Sequence, residues 1–494
     1  MTTETISTLK NYIGGEWVES AATDHVEVHN PATGDILART PLSSKSEVEQ
    51  AIAAAAEAFP AWRDTPAVER ARVMFRFKAL LEDHFEELSQ ILVEEHGKTL
   101  VEARGDVRRG MEVVEFACGV PSLLMGQALD DIARGIDTST FRVPLGVCAG
   151  ICPFNFPAMV PMWMFPLAIA CGNTFVFKPS EKVPRTGTRL VELLADAGLP
   201  RGVMNIAHGA REAVDTLLTD PRVRAVSFVG SSPVAKHIYE TSAAHGKRVQ
   251  ALAGAKNFSI VMPDADMRDA AKSVVTSAFG CAGQRCLATS VVIAVGDAGD
   301  PLVAEMTSQA KAMKMGSGLD EKTELGPVIT PESRDRICDW IARGAEDGAE
   351  LVLDGRDAKV PGMEGGFWVG ATILDKASPG MAIVKTEVFG PVLTVIRTKD
   401  LDEAIEVANG SLFGNCSSIY TRSGAAARTF RKRIEVGMVG INVGVPAPMA
   451  FFPFAGWKGS FYGDLHGHGR DGVTFYTEQK VEISRWPRDA EDKF

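Results

Sequence analysis

From Val143 to Phe177 the chain carries no charged residue. On length alone such a run invites a transmembrane helix. Yet Pro144, Pro153, Pro157, Pro161 and Pro166 punctuate it, together with Gly146, Gly150 and Gly172. Each proline removes a backbone donor and clashes with the preceding turn, so a spanning helix absorbs one or two, not five. The segment divides instead into short buried elements: a strand over Leu145–Ile151, a loop over Cys152–Pro157, a helix over Ala158–Ala170 and a strand over Thr174–Lys178 (TFVFK). Elements this apolar need covering layers on both sides.

The remaining chain supplies them. Ser46–Phe59 opens on Ser with Glu in its first turn, a helix start. Ala67–His96 reads as one long amphipathic helix, with Phe75, Leu80, Leu81, Phe85, Leu88 and Leu92 near helical spacing. After TFVFK come a helix over Thr186–Ala197, a strand at 203–209, a helix over Ala210–Thr219 and a strand at 225–230. After the strand Ser259–Met262 the pattern restarts, with a helix over Asp266–Phe279 and a strand over Thr289–Val295, placing a boundary near residue 253. Gly472–Ile483 alternates like a strand. The alternation predicts an α/β fold with largely parallel sheets. At roughly 150 residues per domain, 494 residues imply two to four domains. Ordinary globular composition, 45% hydrophobic and 23% charged, excludes a disordered or collagen-like chain. A chain this long needs neither disulfide nor metal to hold a core. The net charge of −11 argues against coating nucleic acid, though local basic pockets for an anionic ligand stay open.

Several patterns are set aside. The eight cysteines form no CxxC pair and read as mostly buried thiols in a reducing cytoplasm. No basic region followed by an apolar run opens the chain, so no secretory signal is visible. Residues 467–472 match GxGxxG but follow no hydrophobic strand and open no obvious amphipathic helix, which argues against a dinucleotide loop. His466 and His468 lack partners at metal-ligand spacing and read as solvated loop residues, so no metal is expected. No GxxxxGK[ST] phosphate loop is present.

Four segments carry chemistry: ICPFNFP (151–157), FKPSEK (177–182), FGCAGQRC (279–286) and KTEVFGPV (385–392). A cysteine after Gly283-Gln284-Arg285 is a candidate nucleophile, since an adjacent cation favours the reactive thiolate. Asn155, a neutral amide between Phe154 and Phe156, suits an oxyanion that develops when a thiolate adds to an aldehyde. The strand-to-helix turn at Gly230-Ser231 offers free N–H groups to phosphate.

In this order and spacing the segments resemble the aldehyde dehydrogenase superfamily, from about Tyr12 to Trp486. The resemblance implies a Rossmann-like NAD-binding domain (1–121 and 143–252), an α/β catalytic domain (253–440) and a small β oligomerisation element (122–142 and 470–490). It implies a homotetramer with no membrane or nucleic-acid partner. It makes Cys286 the nucleophile and Cys281, in the same loop, a packing residue, with Asn155 and the Cys286 N–H as oxyanion hole. NAD would be held by Cys152, Phe154, Lys178, Glu181, Lys182, Ser231, Ala253 and Glu387. Lys178 and Glu181 would serve the adenosine ribose, Ser231 the pyrophosphate and Glu387 the nicotinamide ribose. A carboxylate at 181 would repel a 2′-phosphate, favouring NAD over NADP.

One departure sharpens the expectation. Hydrolytic members carry a glutamate heading an E-L-G-G-K segment, whereas here Leu252 heads LAGAK, 34 residues before Cys286. Leucine cannot deprotonate the water that would deacylate a thioester. The pattern is similar to the CoA-acylating branch of the superfamily, where coenzyme A accepts the acyl group. Substrates of that branch carry a carboxylate beside the aldehyde, malonate semialdehyde or its 2-methyl homologue, and call for guanidinium groups. Arg285 and Arg109 are the candidates, while Arg108 reads as a solvated helix position. The alternative is a hydrolytic, NAD-dependent enzyme that uses another base and releases the free acid.

Overall fold

The computed structural model describes residues 6–486. Residues 1–5 and 487–490 of the first and last predicted spans lie outside the described residues.

Two large sheets organise the chain. The first has eight strands in the order Glu16–Val18, Asn11–Ile13, Met204–Ile206, Thr174–Lys178, Val147–Ile151, Val223–Val229, Arg248–Leu252 and Phe461–Gly463. Its five central strands are parallel, while those at either edge pair antiparallel. The second has seven strands: Glu350–Leu353, Thr372–Asp375, Val392–Thr398, Thr289–Val295, Asn257–Val261, Cys416–Tyr420 and Met438–Ile441. All its pairings are parallel except the first. This is the predicted α/β class; the strand Arg248–Leu252 belongs to the first sheet and the next strand in the chain, Asn257–Val261, to the second. A third, antiparallel sheet joins Thr477–Ser484, Ile136–Pro144 and Ala128–Ala133.

The uncharged segment is built largely as its prolines require. The strand starts at Val147 rather than Leu145, because the N–H groups of Leu145 and Gly146 both donate to Asn173 Oδ1, at 2.7 and 3.1 Å, instead of to a neighbouring strand. The helix Met159–Ala170 is buried on every side, the environment that an all-apolar helix requires. Among the described residues, no helix is long and apolar enough to cross a membrane.

Two elements differ from expectation. Ala67–His96 is two helices, Ala67–Asp83 and Phe85–His96, broken at His84. Glu86 and Glu87 favour a new helix N-terminus there, and the apolar periodicity resumes after a single residue, which hides the break. Residues 472–475 are helical, not extended: a short helix, Gly469–Phe475, precedes the strand Thr477–Ser484. A helix does therefore open within the GxGxxG match, but it packs on Met159–Ala170. There a Cβ on Gly472 would come within 2.8 Å of Leu167.

Candidate active site

Ligands of open parallel sheets collect at the carboxyl ends of strands where the strand order reverses. Here the switch point lies between Val147–Ile151 and Val223–Val229. The 152–157 loop leaves the first strand and the Gly230–Ser231 turn leaves the second. A cavity of about 840 Å³ opens at this edge, and all eight predicted dinucleotide residues line it: Cys152, Phe154, Lys178, Glu181, Lys182, Ser231, Ala253 and Glu387.

At one end Lys178 Nζ meets Glu181 Oε2 at 3.0 Å. Burial raises the Glu181 pKa, but the Lys178 charge and hydrogen bonds outweigh it and the carboxyl titrates below its usual value. Lys182 Nζ lies 5.5 Å from the centre of the Phe154 ring, which stacks on buried His96. Ser231 stands at the N-cap position of the helix Ser232–Ala244 without a side-chain capping bond, so the N–H groups of its first turn, Pro233 aside, are free of intrahelical partners. At the other end Glu387 Oε1 accepts the Ala255 N–H at 2.9 Å. Gly254 passes so close that a Cβ would come within 2.6 Å of Glu387 Oε2. Burial pushes the Glu387 carboxyl up to about 7, and buried Lys256 opposes the rise.

Cys286 belongs to two cavities at once. It lines the large cleft and a second cavity of about 280 Å³ on its other side. The loop that carries it follows the helix Met267–Phe279 and is tightly wound: Cys281, Ala282 and Gly283 all have left-handed backbone, with φ of 51°, 51° and 69°. Gly283 is obligatory, because a Cβ there would fall 2.0 Å from the Gly390 carbonyl oxygen. The Cys286 carbonyl accepts from the side-chain amides of Asn257 and Asn415, each at 2.9 Å. Burial and the Glu387 carboxylate push the thiol up to about 12, against a downward pull from Arg285. The adjacent arginine thus acts in the expected direction but is outweighed. Its guanidinium turns to Cys281 Sγ (3.4 Å) and Glu102 (3.6 Å).

Asn155 lines the large cleft and is 5% exposed. Its position depends on residues that sequence reading passed over. Lys98 Nζ donates to the Asn155 carbonyl at 2.7 Å and to Asp106 Oδ2 at 2.8 Å, while Asp106 Oδ1 accepts the Met159 N–H at 2.7 Å. Both side chains are fully buried, so one ion pair clamps the two ends of the Asn155–Met159 turn. Lys98 just before the helix-capping Thr99 was the available signal.

Arg109 and Arg285 both line the smaller cavity, among Phe156, Met159, Trp163 and Phe454. Arg109 Nη1 pairs with Glu112 at 2.9 Å and Nη2 donates to the Ala447 carbonyl at 3.2 Å. Arg108 is exposed and sits over the Phe85 ring. Cys281, expected to serve packing, is buried but also faces this cavity. His468 corrects the sequence reading: it is no solvated residue but 3% exposed, lining the cavity with its ring 5.0 Å from Trp163. His466 is half-buried beside Asp471. Leu252 lines neither cavity. It is 5% exposed in the core, near Gly467.

A thiol at the shared wall of a dinucleotide-sized cleft and a small cavity, with a carboxamide lining the cleft, suits the oxidation of an aldehyde. The chain belongs to the aldehyde dehydrogenase family, whose pattern matches residues 17–481. It is 55% identical to malonate-semialdehyde dehydrogenase 2 of Geobacillus kaustophilus (strain HTA426) over 482 residues, which is 97% of this chain and 99% of that protein. The crystal structure of methylmalonate-semialdehyde dehydrogenase from Oceanimonas doudoroffii superposes with a TM-score of 0.97 at 49% identity, covering 99% of this chain and 100% of that one. A second neighbour, described as a methylmalonate-semialdehyde dehydrogenase of Sinorhizobium meliloti 1021 complexed with NAD, has a TM-score of 0.97 at 44% identity, with 99% and 100% coverage.

Proposed function

We propose that this enzyme oxidises malonate semialdehyde, or its 2-methyl homologue, in an NAD-dependent reaction and delivers the acyl group to coenzyme A as acetyl-CoA or propionyl-CoA. The carrying observation is Cys286 at the junction of the two cavities with no uncommitted carboxylate in the smaller one. Position 252 is a leucine packed away from both. The carboxylates lining the smaller cavity are all engaged: Glu102 with Arg285 and the Cys281 N–H, Asp106 with Lys98, Glu112 with Arg109. A water molecule there meets no uncommitted proton acceptor among them.

The cleft suits NAD chemically. Glu181 can accept from ribose hydroxyls, the Ser232–Ala244 N-terminus offers N–H groups to pyrophosphate, and Glu387 has one carboxylate oxygen left for a second ribose. NAD, when bound, supplies a hydride acceptor. The chain's own residues do the rest. Cys286 Sγ adds to the aldehyde carbon, and the Asn155 side-chain amide with the Cys286 N–H stabilises the oxyanion. Loss of hydride leaves an acyl thioester on Cys286. Arg109 and Arg285 hold the substrate carboxylate. The thioester carbonyl accepts the electron pair when the bond between the α-carbon and the carboxylate breaks and carbon dioxide leaves, and the resulting enolate takes a proton from water at the α-carbon to give the acetyl or propionyl thioester. The thiol of coenzyme A then takes the acyl group and frees Cys286. Eight cysteines without a disulfide fit a reducing cytoplasm, and the third sheet fits assembly into a homotetramer.

The test is NADH formation from malonate semialdehyde with and without coenzyme A. Steady turnover is expected only with the thiol present, and Cys286→Ala should form no NADH under either condition. Sustained turnover to free acid without coenzyme A would favour the hydrolytic alternative.

A further inference from the structure

The GxGxxG match at 467–472 lies away from the dinucleotide-sized cleft, and its geometry has a purpose beyond a turn. His468 stands between two glycines with φ of 44°, a left-handed conformation that a residue with a side chain adopts only under constraint. The surroundings impose it. The Phe454 N–H donates to the Gly467 carbonyl at 3.0 Å, and a Cβ on Gly469 would sit 3.0 Å from Phe452. The result delivers the imidazole into the wall of the 280 Å³ cavity that contains Cys286, Arg109 and Arg285.

The charged side chains around that cavity, Glu102, Asp106, Arg109, Glu112 and Arg285, are matched to partners, as described above. At His468 one atom is left over: Nδ1 is buried without a hydrogen-bond partner. Buried polar atoms in this condition are uncommon and call for an explanation. Burial and the neighbouring Arg109 charge draw its pKa down to about 4, against the carbonyls of Ala450 and Phe452. In the free enzyme the ring is therefore neutral and carries one N–H. The edge contact with Trp163 fixes its plane.

We propose that His468 is a specificity-determining residue of the aldehyde site, donating a hydrogen bond to the substrate carboxylate alongside Arg109 and Arg285. The inference rests on the proposed semialdehyde substrate. It adds a neutral donor to two charged ones, so the carboxylate is gripped without a third fixed positive charge that would hold it against leaving as carbon dioxide.

The experiment compares kcat/KM for malonate semialdehyde and for propanal, which has the same carbon chain without the carboxylate, with coenzyme A saturating. His468→Phe keeps an aromatic ring against Trp163 and removes the nitrogens, and His468→Leu removes both. Each should lower kcat/KM for malonate semialdehyde by on the order of tenfold to a hundredfold, mainly through KM, and for propanal by less than about threefold. Equal losses on both substrates, or no loss on either, would overturn the assignment. Arg109→Leu is the control. If it discriminates between the substrates and the His468 variants do not, only the role of His468 falls. If Arg109→Leu fails to discriminate as well, the carboxylate-binding reading of the cavity falls with it.

Discussion

Burial holds the Cys286 thiol at about 12, and two charges pull on it in opposite senses. Glu387, across the cleft, raises the pKa because a second negative charge nearby disfavours the thiolate; Arg285 lowers it. In the ligand-free enzyme the thiol is protonated at neutral pH and therefore a slow nucleophile. Alkylation by iodoacetamide should accordingly climb steadily from pH 7 to pH 10 without a plateau. Glu387→Gln removes the negative charge and should speed alkylation at pH 8 by about threefold to tenfold. Arg285→Met should slow it by a similar factor, a unit of pKa being about tenfold in thiolate. Mass-spectrometric counting of modified Cys286 over time reads both, and shifts in the same direction would contradict the electrostatic account. The motif residues were legible in the sequence because thiolate addition dictates their types: a cysteine, an amide donor, a carboxylate for ribose. Charge balance was not legible. Arg285 adjoins Cys286 in sequence, but its guanidinium turns to Cys281 and Glu102, a choice made by the left-handed turn at Cys281–Gly283.

The Asn155–Met159 turn is held by the helix Leu100–Cys118 and the residue before its cap, not by its own strand. Lys98→Met would leave Asp106 buried without its counter-charge and the Asn155 carbonyl without its donor. Breaking a buried pair from one side costs roughly 3–5 kcal/mol, read as a fall in the urea midpoint, and kcat should fall with it. In the Lys98→Met/Asp106→Leu double variant much of the stability should return, since apolar replacement of both partners removes the unpaired charge. The lost kcat should not return, because nothing then fixes Asn155. Full recovery of kcat would mean that the pair serves stability alone. At this scale the sequence spoke clearly wherever elements were long or wholly apolar: the strands Thr174–Lys178 and Thr289–Val295 and the helix Met159–Ala170 lie where expected, to within a residue. It was silent where a signal was short or shared. Seven residues at Gly469–Phe475 are too few to display a helical period, and Lys98 and Asp106 stand in a stretch rich in charge that reads as solvated surface although both are buried.

Across the whole molecule, the third sheet is the part least able to stand alone. Its strand Ala128–Ala133 is exposed throughout and Thr477–Ser484 nearly so. Val481 and Ile483, two residues apart and hence on one face, are 63% and 71% exposed, and Leu129 and Ile132 are 59% and 56% exposed. A long apolar edge strand open to solvent invites another chain, and three strands with little core of their own are marginal in isolation. The arm is nonetheless anchored to the nucleotide sheet: Tyr476 Oη pairs with Ser227 Oγ at 2.7 Å, and Asn173 Nδ2 donates to the Tyr476 carbonyl at 2.9 Å. These features favour a second copy of the chain as the cover for the exposed strands. Val481→Lys/Ile483→Lys places like charges on the strand face and should convert the assembly to smaller species in sedimentation velocity at micromolar concentration. Because Tyr476 joins the arm directly to the strand Val223–Val229, whose end carries Ser231, the dissociated variant should also lose thermal stability and affinity for NAD. A variant that sediments like the parent would move the interface to another face, and one that dissociates with unchanged NAD affinity would show that the arm and the cleft are mechanically separate.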